Sequence, residues 1–151
     1  MSPRAASRLE SLGFEEVLDY VAGKQDWLAF GLPIEGKSAD VPTIGQAANR
    51  DVQTCYITES VGDVQNRLRQ AHEQTCVVVD KDRVVLGLLR KKLWDLGAEI
   101  PVEEAIDAGP TTFRPHIALD EMAAYMRDKR LASLLVTTSD GRLVGILRRL
   151  K

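Results

Sequence analysis

The chain writes one pattern twice. "VDKDRVVLGLLRKKL" (79–93) and "TTSDGRLVGILRRLK" (137–151) each run through a turn, an apolar run, a glycine, more apolar residues and a basic cluster. Placing Gly87 on Gly145 sets an offset of 58 residues. At that offset, and without a gap, Ala47 meets Ala105, Thr54 meets Thr112, Arg69 meets Arg127, Val78 meets Val136, Asp82 meets Asp140 and Arg90 meets Arg148. A fixed internal period marks two copies of one supersecondary unit, each of which needs its neighbour to bury an apolar face. That constraint rules out most folds available to a chain of 151 residues.

The classes of residue follow the same offset. Val61, Val64, Leu68 and Ala71 recur at helical spacing, as do Leu119, Met122, Ala123 and Met126, with Asp120 placed to cap or open the second helix. Behind each helix lie two β-rich runs around a turn, at 80–83 in the first copy and at Asp140-Gly141 in the second. Their nearly continuous apolar character predicts strands buried on both faces. Ahead of each unit stands a short helical candidate, residues 43–50 and 101–107, the second with Pro101 in its first turn. "KKLWDLG" predicts a closing helix ended by Gly97, for which the second copy leaves no room before Lys151. The expected fold class is α/β (α+β): two pseudo-symmetric β-α-β-β units, each preceded by a short helix, plus a small N-terminal helix-strand-helix segment.

With "VVVDKDRVVLGLLR", "LLVTTSDGRLVGILRR" and the amphipathic helices before them, the chain resembles a tandem pair of CBS domains, also called a Bateman module. The resemblance implies units at 41–98 and 99–151. It also implies that adenosine-containing ligands such as AMP, ATP or S-adenosylmethionine bind in clefts between the units. Carried onto this sequence, the cleft walls fall at 54–57, 75–77 and 90–93, and at 112–116, 133–135 and 148–151. The candidate ligand-binding residues are therefore Thr54, Cys55, Thr75, Arg90, Thr112, Phe113, Arg114, His116, Ser133 and Arg148. In the family a Ser or Thr closes the third strand and an Asp three residues later holds the ribose. Here Arg90 and Arg148 stand at the first place and Leu93 and Lys151 at the second, which favours a phosphate, a carboxylate or another anion over ordinary ribose recognition. In "GPTTFRPH", Phe113 suits stacking on a planar ligand, Arg114 an anion, and His116 proton exchange near neutral pH.

The first forty residues stand outside the repeat. "RAASRLESLGFEEV" and "VAGKQDWLAFGLP" are similar to the closing part of a rhodanese domain, with a helix through Leu12, a strand near 17–20 and a helix around 25–30. Leu12, Phe14, Val17, Trp27 and Phe30 are expected to pack this segment onto the repeat. In rhodaneses the active-site cysteine lies shortly before the helix with which this chain begins. Sulfur transfer needs a low-pKa thiolate at a helix N-terminus, and the segment contains no cysteine.

Composition narrows the function. With 20 basic and 22 acidic residues the net charge is −2, and the basic clusters "RLRQ", "RKK" and "RRL" carry no interleaved aromatics, so nucleic acid is not an expected partner. No apolar run approaches the ~20 residues of a membrane span, and the N-terminus lacks a secretory apolar core. Cys55 and Cys76 form no disulfide framework and, with His72, no set of three or four zinc ligands, which suits a reducing cytoplasm. No nucleophile triad, Walker loop or dinucleotide fingerprint occurs. The expectation is a non-catalytic, cytoplasmic ligand-sensing module with no required cofactor. The resemblance implies a homodimer, and the stripe of Val64, Leu68, Met122 and Met126 suits either the internal pair or that interface. It would act on an effector protein whose identity the sequence does not give. The alternative is a protein–protein adaptor with empty clefts.

Overall fold

The computed structural model describes residues 3–18, 20–21, 23–36, 39–90 and 94–149. Two helices come first, α1 (Pro3–Ser11) and α2 (Gly23–Ala29). The first unit contributes α3 (Ile44–Ala47), β1 (Thr54–Cys55), α4 (Val61–Ala71), β2 (Cys76–Val79) and β3 (Val85–Leu89). The second repeats the order with α5 (Val102–Ala105), β4 (Asp107–Ala108), β5 (Thr112–Phe113), α6 (Leu119–Asp128), β6 (Ser133–Thr137) and β7 (Leu143–Arg148). In each unit a short strand, β1 or β5, pairs in parallel with the strand after the amphipathic helix, β2 or β6, and the last two strands form an antiparallel hairpin; β4 instead joins the first unit's sheet, antiparallel to β3.

Local chemistry sets these elements. Ser60 caps α4, its hydroxyl accepting the Asp63 N–H at 3.2 Å, whereas α6 starts after Ala118 with Asp120 in its first turn. Beyond their C-termini, His72 and Arg130 occupy equivalent left-handed positions, φ 54° and 53°, which turn the chain into β2 and β6. The hairpins close alike: Asp80 Oδ1 accepts the Val84 N–H at 2.8 Å, and Thr138 Oγ1 accepts the Arg142 N–H at 2.9 Å.

The sheets meet face to face. Val77, Val79 and Leu88 of one pack against Leu135, Leu143 and Ile146 of the other. A pseudo-two-fold axis passes between Val84 and Arg142, where Val85 N–H reaches Gly141 O (3.0 Å) and Leu143 N–H reaches Arg83 O (2.9 Å). On the outer faces α4 buries Val61, Val64 and Leu68, and α6 buries Met122 and Met126, each against its own sheet. Fully burying such side chains is worth roughly 1.5–3 kcal/mol apiece. The stripe of Val64, Leu68, Met122 and Met126 is thus spent inside the units, which removes it as a dimer surface.

The helix that leads each unit belongs in space to the other one. Ile44 and Ala48 pack with Met122, Leu134 and Val144, while Val102 packs with Val61, Leu68 and Leu89. Ile44 N–H donates to Ile117 O and Val102 N–H to Glu59 O, both at 2.9 Å. Each helix lasts a single turn because the chain then enters the other unit's sheet. Asn49 exchanges two 2.9 Å backbone bonds with Ile146, and Asp107 and Ala108 pair with Leu88 and Gly87. This crossing explains the doubled glycine. A Cβ on Gly145 would collide with the Asn49 carbonyl, and one on Gly87 with the Ile106 side chain and, at 2.7 Å, the Asp107 carbonyl.

The N-terminal segment departs from expectation in two ways. No strand forms at the described residues near 17–20; the Tyr20 ring instead meets Trp27 edge to face at 5.3 Å, and its hydroxyl donates to Asp26. Nor does its apolar face cover the repeat. Leu12, Phe14 and Phe30 are exposed, and Leu18 and Val21 are 87% and 91% exposed. Among the described residues of the segment, Ala29 alone enters the core, and its carbonyl accepts from Arg50 Nη2 at 2.6 Å. Lys91, Lys92 and Leu93 of the expected closing helix lie outside the described residues, and Trp94 and Asp95 after them form a 3₁₀ turn. Among the described residues no helix is long and apolar enough to cross a membrane.

Candidate functional site

Two clefts follow from the pseudo-symmetry, one at the end of β3 and one at the end of β7. The first is a cavity of about 680 Å³, within the roughly 300–1,000 Å³ typical of small-molecule sites. From the first unit, Gln74, Thr75, Leu88 and Arg90 line it. The second unit supplies an aromatic wall of Phe113 and Tyr125, ring centroids 5.4 Å apart, and a basic rim of Lys129 and Arg130 beside Leu131 and Ser133. Lys129 leans on its neighbour Asp128 at 3.2 Å. Among the described residues Arg90 and Arg130 have no ion-pair partner. Two free guanidiniums, hydroxyls and an aromatic face on one concave surface suit a ligand with an anionic and a planar part.

The second cleft has the same frame and different contents. Arg148 Nη2 lies 2.7 Å from both carboxylate oxygens of Glu73, and only about 10 Å³ remains among Asp51, Gln53, Thr75, Ile146 and this pair. At the 58-residue offset Glu73 corresponds to Leu131, Cys55 to Phe113 and Arg67 to Tyr125. Arg67 is already committed, to Glu59 at 2.8 Å and to the Thr54 carbonyl at 3.1 Å. Cys55 is buried, and a hydrogen bond with Cys76 followed by burial pushes its thiol pKa up, so it stays a neutral core group.

Of the candidates drawn from sequence, Thr75, Arg90, Phe113 and Ser133 converge on the large cavity, and Arg148 joins Thr75 at the small one. Thr54, Cys55, Thr112, Arg114 and His116 line neither. Arg114 ties β5 to the end of β6, donating to the Thr138 carbonyl at 2.8 Å and to Thr137 Oγ1. His116 sits exposed in the turn after β5. Tyr125, Lys129 and Arg130 were not anticipated. For two of them a signal was present: Tyr125 in the last turn of α6 and Lys129 at its C-cap are four residues apart, one helical turn, beside the cleft.

A family model for the CBS domain matches residues 44–92 and again 99–150. The chain belongs to the CBS-domain family. Among curated proteins no relative matches the sequence. Solved CBS-type structures align well. A Vibrio cholerae protein described as an acetoin utilization protein (AcuB) superposes with a TM-score of 0.65 at 23% identity, over 72% of this chain and 84% of that one. The cytosolic domain of the Mg2+ channel MgtE in complex with ATP gives 0.64 at 24%, over 71% of this chain and 46% of that one. The CBS domain pair of protein MJ0100, in complex with 5′-methylthioadenosine and S-adenosyl-L-methionine, gives 0.60 at 16%, over 72% and 90%. At these identities the likeness is one of fold. The CBS pair therefore accounts for the repeat and the fold.

Proposed function

We propose that this CBS pair is a non-catalytic sensing module that binds an anionic, nucleotide-like ligand in the cleft of Arg90 and passes its occupancy to an effector protein. The observation that carries this reading is the unpaired Arg90 on the lip of a cavity that also presents Phe113, Tyr125 and Arg130. ATP in the MgtE complex and S-adenosyl-L-methionine in the MJ0100 complex support the ligand class. The ligand acts only through a different affinity for two conformations or assemblies, and a homodimer is the assembly we propose. In this reading the units span 41–98 and 99–151, and binding is cytoplasmic. Ligation is tested by melting the protein with ATP, AMP, S-adenosylmethionine and pyrophosphate. A ligand at 100 times its Kd adds about 2.7 kcal/mol and raises Tm; no rise with any of them refutes the reading.

A second reading rests on the exposed Leu12, Phe14, Leu18, Val21 and Phe30. It makes the rhodanese-like segment 1–40 a partner-facing adaptor, without sulfur transfer, since the segment has no cysteine. Removing residues 1–40 then abolishes effector capture and leaves ligand binding intact.

A further inference from the structure

Glu73 is the residue that makes the two clefts unequal. It lies in the turn between α4 and β2, and it reaches across the pseudo-two-fold to Arg148 at the end of β7, 75 positions away in the chain. Both carboxylate oxygens stand 2.7 Å from Arg148 Nη2. At the equivalent place in the other cleft, Leu131 offers Arg90 no carboxylate, and the space beside it stays open at about 680 Å³ against about 10 Å³. The frames behind the two arginines match closely: Arg90 directly follows β3 and Arg148 closes β7, while Thr75 directly precedes β2 and Ser133 opens β6. What differs is the presence of an anion supplied by the chain.

We propose that Glu73 is a built-in occupant of the second cleft: its carboxylate takes the place at Arg148 that a ligand anion takes at Arg90. The chain therefore binds one anionic ligand and holds a second, latent anion site that opens when Glu73 is removed. The ligand count in the intact protein rests on the reading of the Arg90 cleft given above, whereas the latent site does not. The latent site selects small phosphate-bearing or carboxylate-bearing anions. It has no aromatic wall, because Cys55 and Arg67 stand where Phe113 and Tyr125 stand in the open cleft.

Calorimetric titration of the full chain with ATP, and separately with inorganic pyrophosphate, tests this. The unmodified protein takes up one ATP per chain. Glu73→Leu, which copies Leu131 into the second cleft, takes up a second equivalent of pyrophosphate, and adding Arg148→Ala abolishes that equivalent. Glu73→Gln, which keeps the shape and removes the charge, exposes the same site with about tenfold weaker binding than Glu73→Leu. The Glu73–Arg148 pair is exposed, so these variants fold, and a circular-dichroism melt confirms it. An unchanged single equivalent in Glu73→Leu overturns the proposal and leaves the Arg90 reading standing. Two equivalents in the unmodified protein also overturn it. No binding to the unmodified protein, with one Arg148-dependent equivalent in Glu73→Leu, sinks the Arg90 reading and upholds the latent site. Silence in every variant overturns both.

Discussion

At the end of β3, Arg90 faces Leu131 across a cavity of about 680 Å³; at the matching end of β7, Arg148 holds Glu73 and about 10 Å³ is left. The backbones around the two arginines are near copies. Paired bonds such as Ile44 N–H to Ile117 O and Val102 N–H to Glu59 O repeat at the same 2.9 Å. Buried hydrogen bonds and packed apolar faces hold the frame symmetric, because breaking one copy exposes polar backbone at a cost of about 1–3 kcal/mol. Side chains in the turns are under no such constraint. One carboxylate in a turn fills, at Arg148, the place that stays open at Arg90.

The largest effect expected from disturbing this symmetry lies in the frame. Gly145→Ala should cost about 3 kcal/mol, measured by urea unfolding, because its new Cβ meets the Asn49 backbone carbonyl, which cannot yield without breaking the Asn49–Ile146 pairing. Gly87→Ala should cost less, since the Ile106 side chain absorbs part of the clash. Equal costs would mean that the two crossings are equally tight.

Next comes the contrast between the arginines. A hydrogen bond to a charged partner contributes roughly 1.5–3 kcal/mol, so Arg90→Ala should weaken ATP binding about ten- to hundredfold. Arg148→Ala should leave ATP affinity within about twofold. Phe113→Leu removes one face of the aromatic wall and should weaken ATP about fivefold, the size of a stacking contribution of roughly 1 kcal/mol. The matching change at Cys55, to Ala, should leave ATP affinity unaltered. Smallest of all, Glu73→Gln should change folding stability by less than about 1 kcal/mol, as for other exposed ion pairs, because its effect falls on ligand count rather than on the fold.

Most of the frame was legible in the chain. The 58-residue offset, the helical spacing of Val61, Val64 and Leu68, and the turn chemistry at Asp80 and Gly141 all specify elements that the structure contains. The crossing of α3 and α5 was not legible. A helix of one turn has no periodicity with which to announce a partner, and the partner lies some 70 residues away, as Ile44 does from Ile117. The N-terminal segment misled for a related reason. Leu12, Phe14 and Phe30 have the composition of a packing face, but α3 already fills the apolar surface of α6 and β7. Half of the cavity lining followed from the resemblance to CBS pairs, which implies cleft walls that include Arg90, Thr75, Phe113 and Ser133, and those four line the cavity. The inequality of the clefts was written in Glu73 and Leu131, yet only the reach of Glu73 to Arg148 gives that difference a meaning.

The central claim is that Arg90 anchors an anionic ligand in the open cleft at the end of β3. Calorimetric titration of ATP into the intact protein and into Arg90→Ala and Arg148→Ala tests it most directly. The account predicts one equivalent per chain, a loss of about tenfold or more in affinity only for Arg90→Ala, and an unchanged isotherm for Arg148→Ala. ATP binding that survives in Arg90→Ala and disappears in Arg148→Ala contradicts it.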